Sequence, residues 1–106
     1  MNLSEENCIP VTAGENTLSK QVIKELAVQI PGWMIEEKSM EREFQFRDFK
    51  GSIVFVNKVA DLAEKQNHHP DICIFYSKVK LELSTHKIGG LSRNDFILAA
   101  KIDQLI

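Results

Sequence analysis

The chain is poor in cysteine: only Cys8 and Cys73 occur in 106 residues, and they share no motif spacing. Two thiols are a thin framework for a secreted domain of this size, so a disulfide scaffold is not expected. No charge of one sign dominates either. Thirteen basic and 15 acidic side chains give a net charge of -2, with no Lys/Arg cluster, so no nucleic-acid partner is expected. Long apolar runs are missing as well; the longest fall far short of the roughly 20 residues needed to span a bilayer, which excludes a membrane helix. The first seven residues hold two glutamates and no basic residue before any apolar stretch, unlike a signal peptide. A cytoplasmic location follows as the expectation.

What is present is an ordinary globular composition, 43% hydrophobic and 26% charged, long enough for one modest core. Residues 1–17 show no sustained period and include Pro10 and Gly14, which predicts an irregular lead-in. Residues 18–106 read as a single domain. Ser19 is a candidate N-cap for a helix carrying Val22, Ile23, Leu26, Ala27 and Ile30 at helical spacing, stopped by Pro31-Gly32. Residues 33–38 and 40–47 predict two strands joined near Lys38, the second alternating Met40, Phe44 and Phe46 with Glu41, Glu43 and Gln45.

Asp48 then opens the longest helix, whose predicted buried stripe is Phe49, Ile53, Val56, Ala60 and Ala63, widened by Phe55, Val59 and Leu62. That helix must stop by His68, because Pro70 pushes its predecessor out of helical geometry. Residues 71–77 predict a third strand. Val79, Leu81 and Leu83 alternate with Lys80, Glu82 and Ser84 in a fourth. Gly89-Gly90 breaks the chain, and Ser92-x-x-Asp95 is a capping box for a last helix burying Phe96, Ala99, Ala100, Ile102 and Leu105. The order helix-strand-strand-helix-strand-strand-helix predicts an α+β fold. Its four-stranded antiparallel sheet would have helices packed on one face.

All three histidines, His68, His69 and His86, lie within 19 residues of one another. His68 and His69 fall at a helix carboxyl end, where free carbonyls and the dipole favour a cation, as a general acid requires. Pro70 restricts where the pair can point. On strand parity His86 lies off the apolar face. Simpler readings use the same residues: the helix-end histidines as caps, Asp95 as the capping-box acid, and Glu64 as an i,i+4 partner orienting His68. A metal could draw on His68, His86, Asp95 and Cys73. Adjacent histidines rarely bind one ion from a helix end, however, and no paired-cysteine or two-histidine helix motif is present. No metal is expected.

The set Glu64-x-x-x-His68-His69-Pro70, then Tyr76, His86 and Asp95, resembles the signature of the pterin-4a-carbinolamine dehydratases. The flanks agree, with Pro31-Gly32-Trp33 after the first helix and Thr85-His86-Lys87-Ile88-Gly89-Gly90-Leu91 after the fourth strand. The resemblance runs from about Leu18 to the C-terminus. Lys87 departs from it, since the family often has an acidic or polar residue there.

The resemblance implies conversion of a 4a-hydroxytetrahydropterin to the quinonoid dihydropterin, the recycling step after an aromatic amino-acid hydroxylase, with no metal and no bound cofactor. It implies His68 and His86 as an acid/base pair and His69 as a substrate-positioning residue. Glu64, Pro70 and Asp95 would bind substrate or orient imidazoles, and the chain would form a homodimer or homotetramer. The alternatives are a pterin-binding protein or a protein-dimerisation module. An interaction-only module could lose its histidines without penalty, whereas this chain keeps the set.

Overall fold

The alternation of Val79, Leu81 and Leu83 with charged residues produces the strand on which the rest of the fold packs. The structure is a computed structural model that describes residues 2–106, so the first residue of the 1–17 lead-in lies outside the described residues. Strand β4 (Lys78–Leu83) is central and buries those three side chains completely. It pairs antiparallel with β2 (Met40–Gln45) on one side and β3 (Asp71–Phe75) on the other. Met40 stands opposite Leu83 and Phe44 opposite Val79, so the buried side chains of the two strands share a face. The short β1 (Met34–Ile35) pairs with β2, giving the order β1-β2-β4-β3. On the opposite face Lys80 meets Glu41 at 3.0 Å and Lys78 meets Glu43 at 4.0 Å, which leaves that face to solvent.

Three helices cover the apolar face, in the predicted element order: α1 (Lys20–Ala27), α2 (Phe49–Gln66) and α3 (Arg93–Asp103). Each starts where its cap residue stands. The Ser19 hydroxyl accepts from the Val22 N–H, the Asp48 carboxylate from the Gly51 N–H, and Ser92 with Asp95 forms the capping box of α3. Helix α3 is the most deeply placed, with every residue from Asn94 to Ala100 buried.

Two readings of the sequence need correction. The buried stripe of α2 is Ser52, Phe55, Val59 and Ala63, while Phe49 is half exposed. Apolar residues surround most of α2, so packing decides the stripe. Phe55 wins because its ring meets Phe44 at 4.7 Å and Phe46 at 5.0 Å, pairs worth about 0.5–1.5 kcal/mol each beyond area burial. The strands are also shorter than predicted. Trp33 lies outside β1 because its backbone N–H closes the preceding turn on the Ile30 carbonyl at 3.1 Å; its indole Nε1 donates to Asp103 at 2.8 Å, and that carboxylate also pairs with Arg42. Gly32 permits this arrangement: a Cβ there would stand 2.7 Å from Arg42 Nη1.

Residues 2–17 contain no helix or strand beyond a 3-10 turn at Leu3–Glu5. They are nonetheless tied down. Leu3 is fully buried with its N–H on Gln29 Oε1, and Arg93 holds the Glu6 carboxylate through both of its oxygens.

Candidate active site

The end of α2 decides where two adjacent imidazoles go. Asn67 adopts the left-handed conformation at φ 53°, and the N–H groups of Asn67 and His68 both reach the Ala63 carbonyl. This is a Schellman-type ending, which closes the helix and swings the chain off its axis. His68 thereby turns inward to α3, where its Nε2 lies 2.6 Å from Asp95 Oδ1. His69 turns back over α2, its Nε2 2.6 Å from Glu64 Oε2. Glu64 therefore partners His69; the i,i+4 pairing with His68 fails because His68 no longer follows the helical path.

Asp95 closes the capping box of α3 and also faces His68. Its Oδ2 accepts from the Ser92 N–H at 2.9 Å and from the Thr85 hydroxyl at 2.8 Å, while its Oδ1 faces His68. The carboxyl group is wholly buried, and its Oδ2 is taken by two donors. With Asp95 ionised, His68 Nε2 donates to Oδ1, which leaves Nδ1 as the ring nitrogen not taken by Asp95. Thr85 Oγ1 also lies 2.7 Å from the Ser92 hydroxyl, so a compact buried network stands behind the imidazole.

His86 is not on strand β4, so strand parity does not apply to it. The strand ends at Leu83, Thr85 bridges to Gly90, and His86 starts a 3-10 turn, His86–Ile88. Gly89, at φ 68°, closes that turn in a conformation glycine adopts without penalty. His86 is exposed.

His68, His69 and His86 line one cleft of about 350 Å³, together with Ser84, Thr85 and Lys87. That volume lies within the range of small-molecule sites. Pro70 and Tyr76 do not line it. Pro70 guides the chain from His69 into β3, and Tyr76 is exposed and stacked on Phe49 at 6.4 Å. Cys73 lies on β3, away from the cleft. Among the described residues, no three His, Cys, Asp or Glu side chains converge as a metal site.

Sequence reasoning missed the remaining wall. Cys8, Ile9, Pro10 and Val11 line the cleft, as do Gln66 and Asn94, which hold that segment. Burial pushes the Cys8 thiol up to about 11, so it stands as a neutral thiol at ordinary pH. A short irregular segment has no period to read, and its placement depends on side chains far away in sequence.

The sequence pattern of the family described as Pterin 4 alpha carbinolamine dehydratase matches residues 16–105. A relative from Rubrobacter xylanophilus is 44% identical over 104 residues, covering 97% of each chain. One from Alkaliphilus metalliredigens is 45% identical over 105 residues, covering 97% of this chain and 95% of its own. Both bear the name pterin-4-alpha-carbinolamine dehydratase as a provisional assignment. The Brucella melitensis crystal structure of a "transcriptional coactivator/pterin dehydratase" superposes with a TM-score of 0.80 at 29% identity, covering 85% of this chain and 98% of that one. A pterin dehydratase-like RuBisCO assembly factor of the alpha-carboxysome, 22% identical with a TM-score of 0.58, shares the fold. With the family pattern spanning nearly the whole domain and relatives matching end to end, the chain belongs to the pterin-4a-carbinolamine dehydratase family.

Proposed function

We propose that the chain is a hydro-lyase that dehydrates a 4a-hydroxytetrahydropterin to the quinonoid dihydropterin, as in tetrahydrobiopterin recycling after an aromatic amino-acid hydroxylase. The observation that carries this reading is the buried Asp95 holding His68 at 2.6 Å in the same cleft as His69 and His86. The reaction makes matching demands. The C4a hydroxyl departs as water once its oxygen is protonated, the N5 lone pair forms the C4a=N5 double bond, and N5 releases its proton. One proton enters and one leaves, so no redox partner is consumed.

His68 and His86 act as the acid/base pair, and a group of this kind contributes about 10²- to 10⁴-fold. His69, steadied by Glu64, positions the pterin. Asp95 orients His68. Pro70 acts only through the path it imposes on the preceding histidines. The test is the dehydration rate of synthetic 4a-hydroxytetrahydropterin, followed by ultraviolet absorbance, with His68→Ala and His86→Ala beside the wild type. Acceleration by the wild type and loss of most of it in both variants supports the reading. A folded wild type that leaves the uncatalysed rate unchanged overturns it.

The same reading includes self-association. All five residues of the edge strand β3 are exposed, Ile72 and Ile74 among them, and an unpaired edge of that kind is a template for a second copy. Light scattering on the eluting protein should return at least twice the 12.1 kDa chain mass. A mass of one chain overturns this part.

A further inference from the structure

One wall of the cleft comes from residues 8–11, which lie outside the family pattern beginning at residue 16. This strap runs Cys-Ile-Pro-Val, apolar throughout, and faces a cleft whose other lining side chains are largely polar. Ile9 is 70% exposed, so packing of the core does not explain it. The strap is nevertheless held with unusual care. The Asn94 amide grips Ile9 in both directions, its Oδ1 accepting the Ile9 N–H at 3.0 Å and its Nδ2 donating to the Ile9 carbonyl at 2.6 Å. Gln66 does the same one step earlier, accepting the Cys8 N–H at 2.8 Å and donating to Asn7 Oδ1 at 3.1 Å. The Cys8 thiol donates to the Asn94 carbonyl at 3.6 Å.

The two gripping residues are near neighbours of the histidine machinery. Asn94 precedes Asp95 on the first turn of α3, and Gln66 is two residues before His68 at the end of α2. The same two helix ends thus place His68 and the strap relative to each other. An apolar wall set opposite polar, proton-handling side chains suits a bicyclic pterin. One face of the bicycle rests on an apolar surface, while the other presents the C4a oxygen and the adjacent N5 to the polar side chains.

We propose that Ile9 and Val11 are specificity-determining contacts to the face of the pterin ring, and that Asn94 is the positioning residue that locks their strap in place. The inference rests on the dehydratase reading for its substrate class, and its test separates the two. The double variant Ile9→Ser/Val11→Ser changes residues with little core role, so it keeps the fold. It should raise KM about tenfold with kcat within about twofold, the pattern of lost binding that is equal in ground and transition states.

The two cysteines supply a second readout that requires no turnover. Labelling by a small thiol reagent should be slow at half-buried Cys8, and Cys73 on β3, remote from the strap, serves as the internal reference. Asn94→Ala should speed Cys8 labelling severalfold while the Cys73 rate stays fixed; Asn94→Asp, which keeps the acceptor for the Ile9 N–H, should fall between. Biopterin, the oxidised and unreactive ring, should slow Cys8 labelling in the wild type.

If the wild type dehydrates its substrate, yet the double variant keeps the wild-type KM and biopterin leaves Cys8 labelling unchanged, the strap inference is overturned and the dehydratase reading survives. If the wild type is inert but biopterin protects Cys8, the strap is a pterin-binding wall and the dehydratase reading fails. A Cys8 rate unmoved by Asn94→Ala removes Asn94 from its positioning role.

Discussion

Replacing Asp95 with asparagine tests the tautomer argument with minimal change of shape. The amide oxygen introduced by Asp95→Asn would stay toward the Ser92 N–H and the Thr85 hydroxyl, because both are donors and the Ser92 amide has no other option. The new NH₂ group must then face His68 Nε2 at the 2.6 Å position now taken by Oδ1. Two donors cannot share that contact, so Nε2 gives up its proton and the neutral ring carries it on Nδ1. The lone pair that Asp95 keeps on Nδ1 is lost. The same exchange of carboxylate for amide in a Ser-His-Asp triad lowers kcat about 10⁴-fold through the wrong tautomer, and a loss of about 10²- to 10⁴-fold is expected here.

Stability should fall much less. The three hydrogen bonds to the Asp95 carboxylate become neutral ones, but the buried charge whose desolvation opposes folding goes with them, leaving a net loss of about 1–2 kcal/mol. For a domain of this size that lowers Tm by about 4–15 °C, so the variant remains folded at about 25 °C. The assay is kcat for dehydration beside a circular-dichroism melt of the same preparation. A folded Asp95→Asn protein with kcat within about threefold of wild type would refute the tautomer argument.

Three other outcomes test separate parts of the structure. Glu64→Gln should raise KM a few-fold and change Tm by less than about 2 °C, because the Glu64–His69 pair is well exposed and such pairs contribute about 1 kcal/mol or less; an unchanged KM removes Glu64 from substrate positioning. The Arg93 hydrogen bond and charge hold the Glu6 carboxyl below its ordinary value of 4.5, so the stability it adds is present above that pH and lost as pH falls through the lower, folded-state value. The Tm gap between wild type and Glu6→Gln should accordingly be visible at neutral pH and close in acid, and a gap that widens in acid contradicts the assignment. Asp103→Ala strips the partner from both Trp33 Nε1 and Arg42 and should cost about 1.5–3 kcal/mol by denaturant titration with kcat unchanged; a loss below about 0.5 kcal/mol would show that the pair of contacts adds little.

Much of the architecture could be read from local signals. The Ser19, Asp48 and Ser92 caps and the Leu81 and Leu83 alternation are each decided within a few residues, and element order follows from them; α1, read as carrying Ile30 up to a Pro31-Gly32 stop, instead ends at Ala27. The stripe of α2 could not be read, because Ile53 and Phe55 are equally apolar and only the positions of Phe44 and Phe46 choose between them. At the site, the three histidines and Asp95 were legible as residue types, but their pairing was not. A left-handed Asn67 reassigns Glu64 from His68 to His69, and one dihedral of one asparagine leaves no pattern in the sequence. The wall at residues 8–11 was least legible of all, since Asn94 and Gln66 reach it across 85 and 58 positions.

The left-handed turn at Asn67 also sets how the gene can tolerate changes of length. Connections between elements usually accept an inserted or deleted residue, because they run through solvent. Here the imidazoles are phased by counting from the last turn of α2. One residue added between Asn67 and His68 would move His69 away from Glu64 and carry His68 past Asp95. Lengthening α2 by one residue would rotate the whole exit by about 100°. This short connection should therefore be fixed in length, while length variation in the chain falls elsewhere, as in the stretch near Gly14, where the backbone is exposed.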